Sequence, residues 1–340
     1  MRIGIDLGGT KTEIICLNDK NGKEIYRQRV PSPKNDYKAT LKNIGELVAR
    51  AEETLGIKGT VGVGIPGTVS KVTGLVKNAN SVWLNGHPLD KDLEKILERP
   101  VRVQNDANCL AVSEASDGAG AGKDVVFAVI IGTGCGAGIT IHGKPISGLN
   151  GIGGEWGHNP LPHSKLFTDN KTKICDVWDV HIDPETTVNP TYALKERPDY
   201  FVDDLAVNEF PGPQCYCGKR GCLETWISGT GLKSDYARVT GESLSTHDIV
   251  ANAKQGEAKA LDALNRYTDR LARGLAGVID ILDPDVVVLG GGMSNVTSLY
   301  TDVPKIWDQY IFSDTVETPI VKSAHGDSSG VRGAAWLWND

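Results

Sequence analysis

Short apolar runs of strand length alternate along this chain with stretches of helical period. Arg2–Leu7 is an apolar strand running into Gly8-Gly9-Thr10-Lys11-Thr12, and residues 13–17 resume as a second strand closed by Asn18, Asp19 and Asn21-Gly22. Leu41, Ile44, Leu47, Val48 and Ala51 recur at helical spacing and predict a helix over 37–55. Thr60–Ile65 reads as a buried strand broken by Pro66-Gly67. Residues 101–104 read as another, delivering Asn105-Asp106-Ala107-Asn108 to a helix start. After Ala119-Gly-Ala-Gly122, a hinge or linker, the opening pattern recurs as Val125–Ile131, Gly132-Thr133-Gly134-Cys135-Gly136 and residues 137–141. Strand, Gly/Thr turn and strand thus occur twice, which points to an internal duplication rather than a chance pair of turns. Residues 245–255 and 258–282 predict helices, the second stopped by Asp283-Pro284. Residues 286–289 form a buried strand ending in Gly290-Gly291-Gly292, and 331–338 a short helix packed back on the first domain.

Length makes two domains the default for 340 residues. With 40% hydrophobic and 23% charged residues the chain reads as soluble and globular, and no apolar run has the length of a membrane span. A net charge of −7 without a concentrated basic face argues against a nucleic-acid partner. Seven scattered cysteines form no disulfide framework and no signal peptide is read at the start, so a reducing cytoplasm is expected.

The densest chemistry lies in Cys215-Tyr-Cys217-Gly-Lys-Arg-Gly-Cys222-Leu-Glu224. Three thiolates leave a tetrahedral Zn²⁺ one ligand short, and His158 is the nearest strong upstream candidate; a hairpin with free thiols is the bland reading. A glycine turn lets backbone N–H groups approach an anion, so Gly8, Gly9, Thr10 and Lys11 suit a phosphate, as do Gly132, Thr133 and Gly134. Asp6 sits where a hard Mg²⁺ ion would be held through water. Gly290, Gly291 and Gly292 allow close approach by the base or ribose of a nucleotide. Asn78, Asn80 and Trp83 lie in an amide-rich loop suited to sugar hydroxyls and a ring's C–H face, although such asparagines commonly cap their own turns. Asp106, taken alone, reads as a helix cap.

Together, Asp6-Leu-Gly-Gly-Thr10, Asn105-Asp106, Gly132-Thr-Gly-Cys-Gly136, the Gly-x-x-Gly-Glu-x-Gly-His run ending at His158 and the cysteine motif ending at Glu224 resemble the ROK family of sugar kinases and repressors over nearly the whole chain. In detail, Gly64-Ile-Pro-Gly67, Trp83-Leu-Asn-Gly86 and residues 105–114 and 325–338 look like its bacterial fructokinase (mannokinase) branch. The resemblance implies an α/β actin-like ATPase fold, a duplicated ribonuclease H-like fold of two domains with a cleft between them and a structural zinc site. The expected division is 1–118 plus 326–340 against 119–325. It implies that Asp106 is the general base and that Asn80, Asn105, Glu155, His158 and Glu224 meet the sugar. ATP phosphates would lie on Gly8, Gly9, Thr10 and Thr133, with Mg²⁺ positioned by Asp6; Zn²⁺ would be held by His158, Cys215, Cys217 and Cys222. The implied reaction is transfer from ATP to the 6-hydroxyl of a hexose, with D-fructose first and N-acetylglucosamine or glucose as the alternative. A homodimer is implied as well.

One departure from the family pattern is the long polar segment of about 163–212 between His158 and the cysteines, which contains Cys175 and His181, read as non-ligands. Two other classes were weighed. A sugar-responsive repressor needs a winged helix ahead of the first strand, for which Met1-Arg2 leaves no room. A catalytically silent sugar binder is weakened by the presence of Asp6, Asp106 and both Gly/Thr turns.

Overall fold

The computed structural model describes residues 1–163 and 209–338, with the two-residue strands Trp178–Asp179 and Ala193–Leu194 between them. Cys175, His181 and the bulk of the polar segment lie outside the described residues. The chain divides into two compact units, Met1–Gly157 with Asp283–Thr297 and Glu317–Asp340, and His158–Leu282 with Ser298–Val316.

The first unit holds two five-stranded sheets of one plan. In the first sheet, β1 (Arg2–Leu7), β2 (Lys11–Leu17), β3 (Glu24–Pro31), β4 (Thr60–Ile65) and β5 (Val101–Asn105) stand in the order β3-β2-β1-β4-β5. In the second, β6 (Val125–Ile131), β7 (Cys135–Ile141), β8 (Lys144–Pro145), β9 (Val286–Gly290) and β10 (Ile320–Lys322) stand as β8-β7-β6-β9-β10. In both, the first strand pairs antiparallel with the next strand of the chain and parallel with a later one. The duplication expected from the repeated turns is thus a duplication of topology.

Burial follows the pattern. Helix α1 (Tyr37–Leu55) buries Leu41, Ile44, Leu47, Val48 and Ala51, the stripe its spacing predicts. The Asp36 carboxylate caps its N-terminus by accepting from the Ala39 amide, and Gly56 at φ 65° ends it in the left-handed conformation that glycine adopts without strain. Ile3, Ile5, Val61 and Val63 of the first sheet pack with α1 and with Leu93 of α2 (Leu89–Leu97). Helix α3 (Asp106–Asp117) puts Leu110 and Ala111 against Val126, Ala128, Val286 and Val288 of the second sheet.

The closing helix α8 (Ser329–Trp336) lies against β1, β4 and α3. The approach is too close for side chains: a Cβ at Gly62 would land on the Ala334 carbonyl, and one at Gly333 on the Cys109 carbonyl. Gly333→Ala must push α8 and α3 apart and is expected to cost about 1–3 kcal/mol. A urea or thermal midpoint equal to that of the unsubstituted chain would sink this account. Glu114, fully buried on α3, fastens the same region: it accepts from the amides of Ala119 (2.8 Å) and Ala324 (3.0 Å) and from the Ser329 hydroxyl (2.8 Å). A buried carboxylate survives because each oxygen is satisfied.

The second unit is helical: α4 (Gly229–Thr240), α5 (Thr246–Lys254), α6 (Ala258–Leu282) and α7 (Leu299–Trp307). Its centre is ionic as well as apolar. Arg270 and Arg273 of α6, 2% and 1% exposed, both reach Glu209 at 2.8 Å. Arg270 also meets Asp235 of α4 at 2.8 Å, and the Trp226 ring lies between Arg238 and Arg270 at 4.7 and 4.4 Å. Arg273 further donates to the Pro162 carbonyl. Such charges are tolerated out of water only because they are paired and hydrogen-bonded.

Candidate active site

The two Gly/Thr turns occupy equivalent places, each closing the antiparallel pair at the head of its sheet. In the first, the Gly8 amide donates to the Lys11 carbonyl at 3.0 Å; in the second, the Gly132 amide donates to the Gly134 carbonyl at 3.0 Å. Gly9, Thr10, Lys11 and Thr133 are exposed at the turn tips, Gly8, Gly132 and Gly134 half-buried. Ser32 braces the first turn from β3's end: its hydroxyl donates to the Gly8 carbonyl at 2.7 Å and its amide to the Thr10 carbonyl at 3.0 Å. Gly290 ends β9, Gly291 follows at φ 76°, and Gly292 opens a 3₁₀ turn over Gly292–Asn295.

Asp6, near the end of β1, and Asp106, first residue of α3, are brought within electrostatic reach of one another. Burial pushes Asp6 up to about 6, the negative charges of Asp106 and Glu13 add to the rise, and Arg29 opposes it. The register explains the last two, since Glu13 stands opposite Asp6 on β2 and Arg29 opposite Glu13 on β3. Burial also raises the Asp106 carboxyl; the Ala107 amide, donating at 2.8 Å, opposes this, and the charge of Glu155 reinforces it. Two oxygen-only donors whose ionised forms are destabilised by burial suit a hard divalent cation, which favours the charged state of both.

Asn105 is the N-cap of α3: its Oδ1 accepts from the Ala107 amide at 2.9 Å and the Asn108 amide at 3.4 Å, while its Nδ2 donates to the Gly67 carbonyl at 3.3 Å. Its side chain is engaged locally, so the cap of α3 is Asn105 and Asp106 is the first residue of the helix. Asn80 is exposed, with its amide on the Pro66 carbonyl at 3.1 Å. Trp83 packs against the first core, and its indole N–H donates to the Thr40 hydroxyl at 3.2 Å, which makes it a core residue of this unit. Glu155 is exposed at the end of the loop after β8, its amide donating to the Ile152 carbonyl at 3.1 Å. A cavity of about 330 Å³ opens nearby, lined by Arg102, Gln104, Lys144 and Trp336 among others; none of the predicted phosphate or sugar residues lines it.

In the second unit the chain around His158 is zipped to the chain around Glu224. The Leu161 amide donates to the Gly221 carbonyl at 3.0 Å, the Leu223 amide to the Asn159 carbonyl at 2.9 Å, and Pro160 and Cys222 pair as an antiparallel bridge. This gathers His158, Cys215, Cys217 and Cys222, with one donor atom from each within 4.8 Å of all the others. Cys215 Sγ lies 3.6 Å from His158 Nδ1, and Cys217 Sγ 3.6 Å from Cys222 Sγ. Tetrahedral Zn²⁺ with Zn–S of about 2.3 Å and Zn–N of about 2.0 Å requires donor separations of about 3.5–3.8 Å. Burial pushes the Cys222 thiol up to about 12 and raises Cys215, so the pair is costly to ionise without a cation. The donor set fits zinc. The other ring nitrogen of His158 is 3.0 Å from the Tyr216 hydroxyl, a partner that sequence reading did not find although Tyr216 sits inside the Cys-x-Cys motif.

The profile of the ROK family matches residues 2–340. The chain belongs to the ROK family. An N-acetyl-D-glucosamine kinase of Haemophilus influenzae is 38% identical to this ROK chain over 338 residues, 99% of each. One from Yersinia pseudotuberculosis is 36% identical over 337 residues, 99% of this chain and 98% of that one. Among solved structures, the ROK hexokinase from Thermus thermophilus matches with a TM-score of 0.77 at 26% identity, covering 99% of this chain and 97% of that one. A ROK glucokinase from Streptomyces griseus, solved with glucose and AMPPNP, matches with a TM-score of 0.68 at 25% identity, covering 99% and 98%. The expected α/β actin-like ATPase fold is the fold of this ROK chain.

The fructokinase expectation is corrected. Curated relatives at 35–38% identity over the full chain are N-acetyl-D-glucosamine kinases. The motifs that suggested fructose are short runs of glycine, asparagine and aspartate that belong to the family as a whole, so they define the family and leave the sugar open.

Proposed function

We propose that this ROK protein is an ATP-dependent N-acetyl-D-glucosamine kinase that transfers the γ-phosphoryl group of ATP to the sugar's 6-hydroxyl. Full-length likeness to N-acetyl-D-glucosamine kinases carries the choice of sugar. Asp106, half-buried at the N-terminus of α3 with its carboxyl raised by desolvation, supports the chemistry.

In this reading Asp106 accepts the proton of the attacking hydroxyl as the O–P bond forms, and the bond to the ADP leaving group breaks in line with it. Its N-terminal position on α3 fixes the carboxylate, and burial keeps water from competing for it. Asn80, Asn105, Glu155, His158 and Glu224 orient the remaining sugar groups. Gly8, Gly9, Thr10, Lys11, Gly132, Thr133 and Gly134 cradle the phosphates, and Gly290, Gly291 and Gly292 face the nucleoside. Mg²⁺, held at Asp6, would neutralise charge on the phosphates. Zn²⁺, held by His158, Cys215, Cys217 and Cys222, would serve as a structural cross-link, since four protein donors leave no open position for chemistry. The division into 1–118 with 326–340 and 119–325, one sheet to each, belongs to the same proposal, as do a homodimer and a reducing cytoplasm. No disulfide joins the six described cysteines, and no helix among the described residues is long and apolar enough to cross a membrane.

The test is ADP release measured across N-acetylglucosamine, N-acetylmannosamine, glucose, mannose and fructose. The expected result is a kcat/KM for N-acetylglucosamine at least about tenfold above glucose, the scale a few pocket contacts can supply. Equal or better turnover of glucose would overturn the sugar assignment.

A further inference from the structure

Gln104 and Ser147 join two elements that the fold keeps apart in sequence. Gln104 is the penultimate residue of β5, immediately before the cap of α3; its Oε1 accepts from the Asn105 amide at 2.9 Å and from Asn108 Nδ2 at 3.1 Å, so it grips the first turn of the helix that carries Asp106. Its Nε2 donates to the Ser147 hydroxyl at 3.0 Å. Ser147 opens the loop that leads to Glu155. The Ser147 carbonyl accepts from the Gly153 amide at 3.0 Å, the Ile152 carbonyl from the Glu155 amide at 3.1 Å, and the Gly154 carbonyl from the Ala137 amide of β7 at 3.1 Å. The loop is therefore a short closed circuit with Glu155 at its exit.

The loop is also held from a second side. Thr68–Val69 and Val76–Lys77 form a two-stranded ribbon beyond β4. From it Lys71 Nζ donates to the Gly148 carbonyl at 2.7 Å and Lys77 Nζ to the Asn150 carbonyl at 3.0 Å. Three side chains of the first sheet and its ribbon thus grip three residues, Ser147, Gly148 and Asn150, of a loop from the second sheet. The loop's own side chains do not explain the grip, since Leu149 is 84% exposed and Ile152 51% exposed, with no apolar anchor in the core.

We propose that Gln104–Ser147, with Lys71 and Lys77, is a positioning bridge that sets Glu155 relative to Asp106 so that both meet one sugar molecule. The inference rests on the sugar-kinase reading and names positioning residues, none of which touches the reacting atoms. Misplacement of a substrate-facing group by about 1 Å can cost up to about a hundredfold in rate, and two of these three ties are hydrogen bonds to loop carbonyls.

Two variants test the bridge while leaving α3's own contacts with Gln104 in place: Ser147→Ala, and the double variant Lys71→Met/Lys77→Met. Steady-state kinetics are read for sugar and ATP separately, beside the thermal midpoint. The expected result is a sugar KM raised about tenfold, an ATP KM within twofold, an unchanged midpoint, and recovery in Ser147→Thr, which keeps the hydroxyl. A sugar KM within twofold in both variants overturns the bridge. So does a parallel rise in both KM values with a lowered midpoint, which marks plain destabilisation. The unsubstituted protein is run first on the sugar panel. If it prefers another hexose, the sugar assignment falls and the variants are judged on that hexose. If it turns over none, calorimetric sugar titration decides the bridge, and failure to bind any sugar removes both readings.

Discussion

Asp106→Asn is expected to lower kcat by about 10²- to 10⁴-fold, the usual share of a general base, with the sugar's KM changed only a few-fold. Asparagine keeps the oxygen that accepts from the Ala107 amide and the shape of the helix start, and loses only the capacity to take a proton. The same variant makes a stability statement of opposite sign. Burial holds the folded-state pKa of Asp106 above the ordinary aspartate value. Protonation therefore favours the folded state; that contribution is fully present below the ordinary value and is lost as pH rises through the raised one. At pH 8 the native protein carries a buried charge that asparagine lacks. The variant's thermal midpoint should then equal or exceed the native one, with the gap closing as pH falls toward 4. Near-native turnover in Asp106→Asn, with sugar binding intact, would remove Asp106 from the role of base. A lower midpoint at pH 8 would remove the account of its burial.

Zinc removal should have the largest effect on the fold. Structural zinc sites contribute apparent free energies of about 10–16 kcal/mol in small domains. Only part of that is expected here, because α6 and its ionic partners support the same unit independently. Purified protein should carry about one zinc per chain. Cys222→Ala should lose it, lower the thermal midpoint by at least about 10 °C, and raise the sugar KM, since His158 and Glu224 flank the paired segments the metal would tie. Cys16→Ala is the matched control: Cys16 is also fully buried, lies in the first core outside the cluster, and should lose packing alone. Full zinc occupancy in Cys222→Ala, or a zinc-free protein with unchanged midpoint and sugar binding, would defeat the structural role.

What sequence could reveal here depended on how local the determining physics is. The α1 stripe and the 258–282 helix were legible because one face of each must be apolar, and that requirement repeats every turn. The duplicated sheet was legible because each copy needs glycine at the same tight turn. The gathering of His158 with Cys215, Cys217 and Cys222 was legible because metal ligation restricts residue type severely. Other features have no local signal. Gly62 and Gly333 are required by backbones that approach from 272 and 224 positions away in the chain, at Ala334 and Cys109. Trp83 suits a sugar face by type and a core by placement, and its neighbours in the first unit put it in the core. Tyr216 carries no signal of its own in the motif, and only the fold sets it against His158. Fructose was the wrong expectation for a related reason: residues that hold shared hydroxyls are short motifs, whereas those that discriminate one hexose from another are spread over loops whose placement is tertiary.

Arg273 grips the Pro162 carbonyl with one hand and the Glu209 carboxylate with the other. Pro162 and Glu209, which flank the long polar segment, are thus fastened to one side chain of α6. Loop closure in general costs only about 0.6 kcal/mol more for each doubling of loop length. A change in the number of residues between Pro162 and Glu209 therefore weighs little beside loss of the Arg273 contacts that fasten both positions.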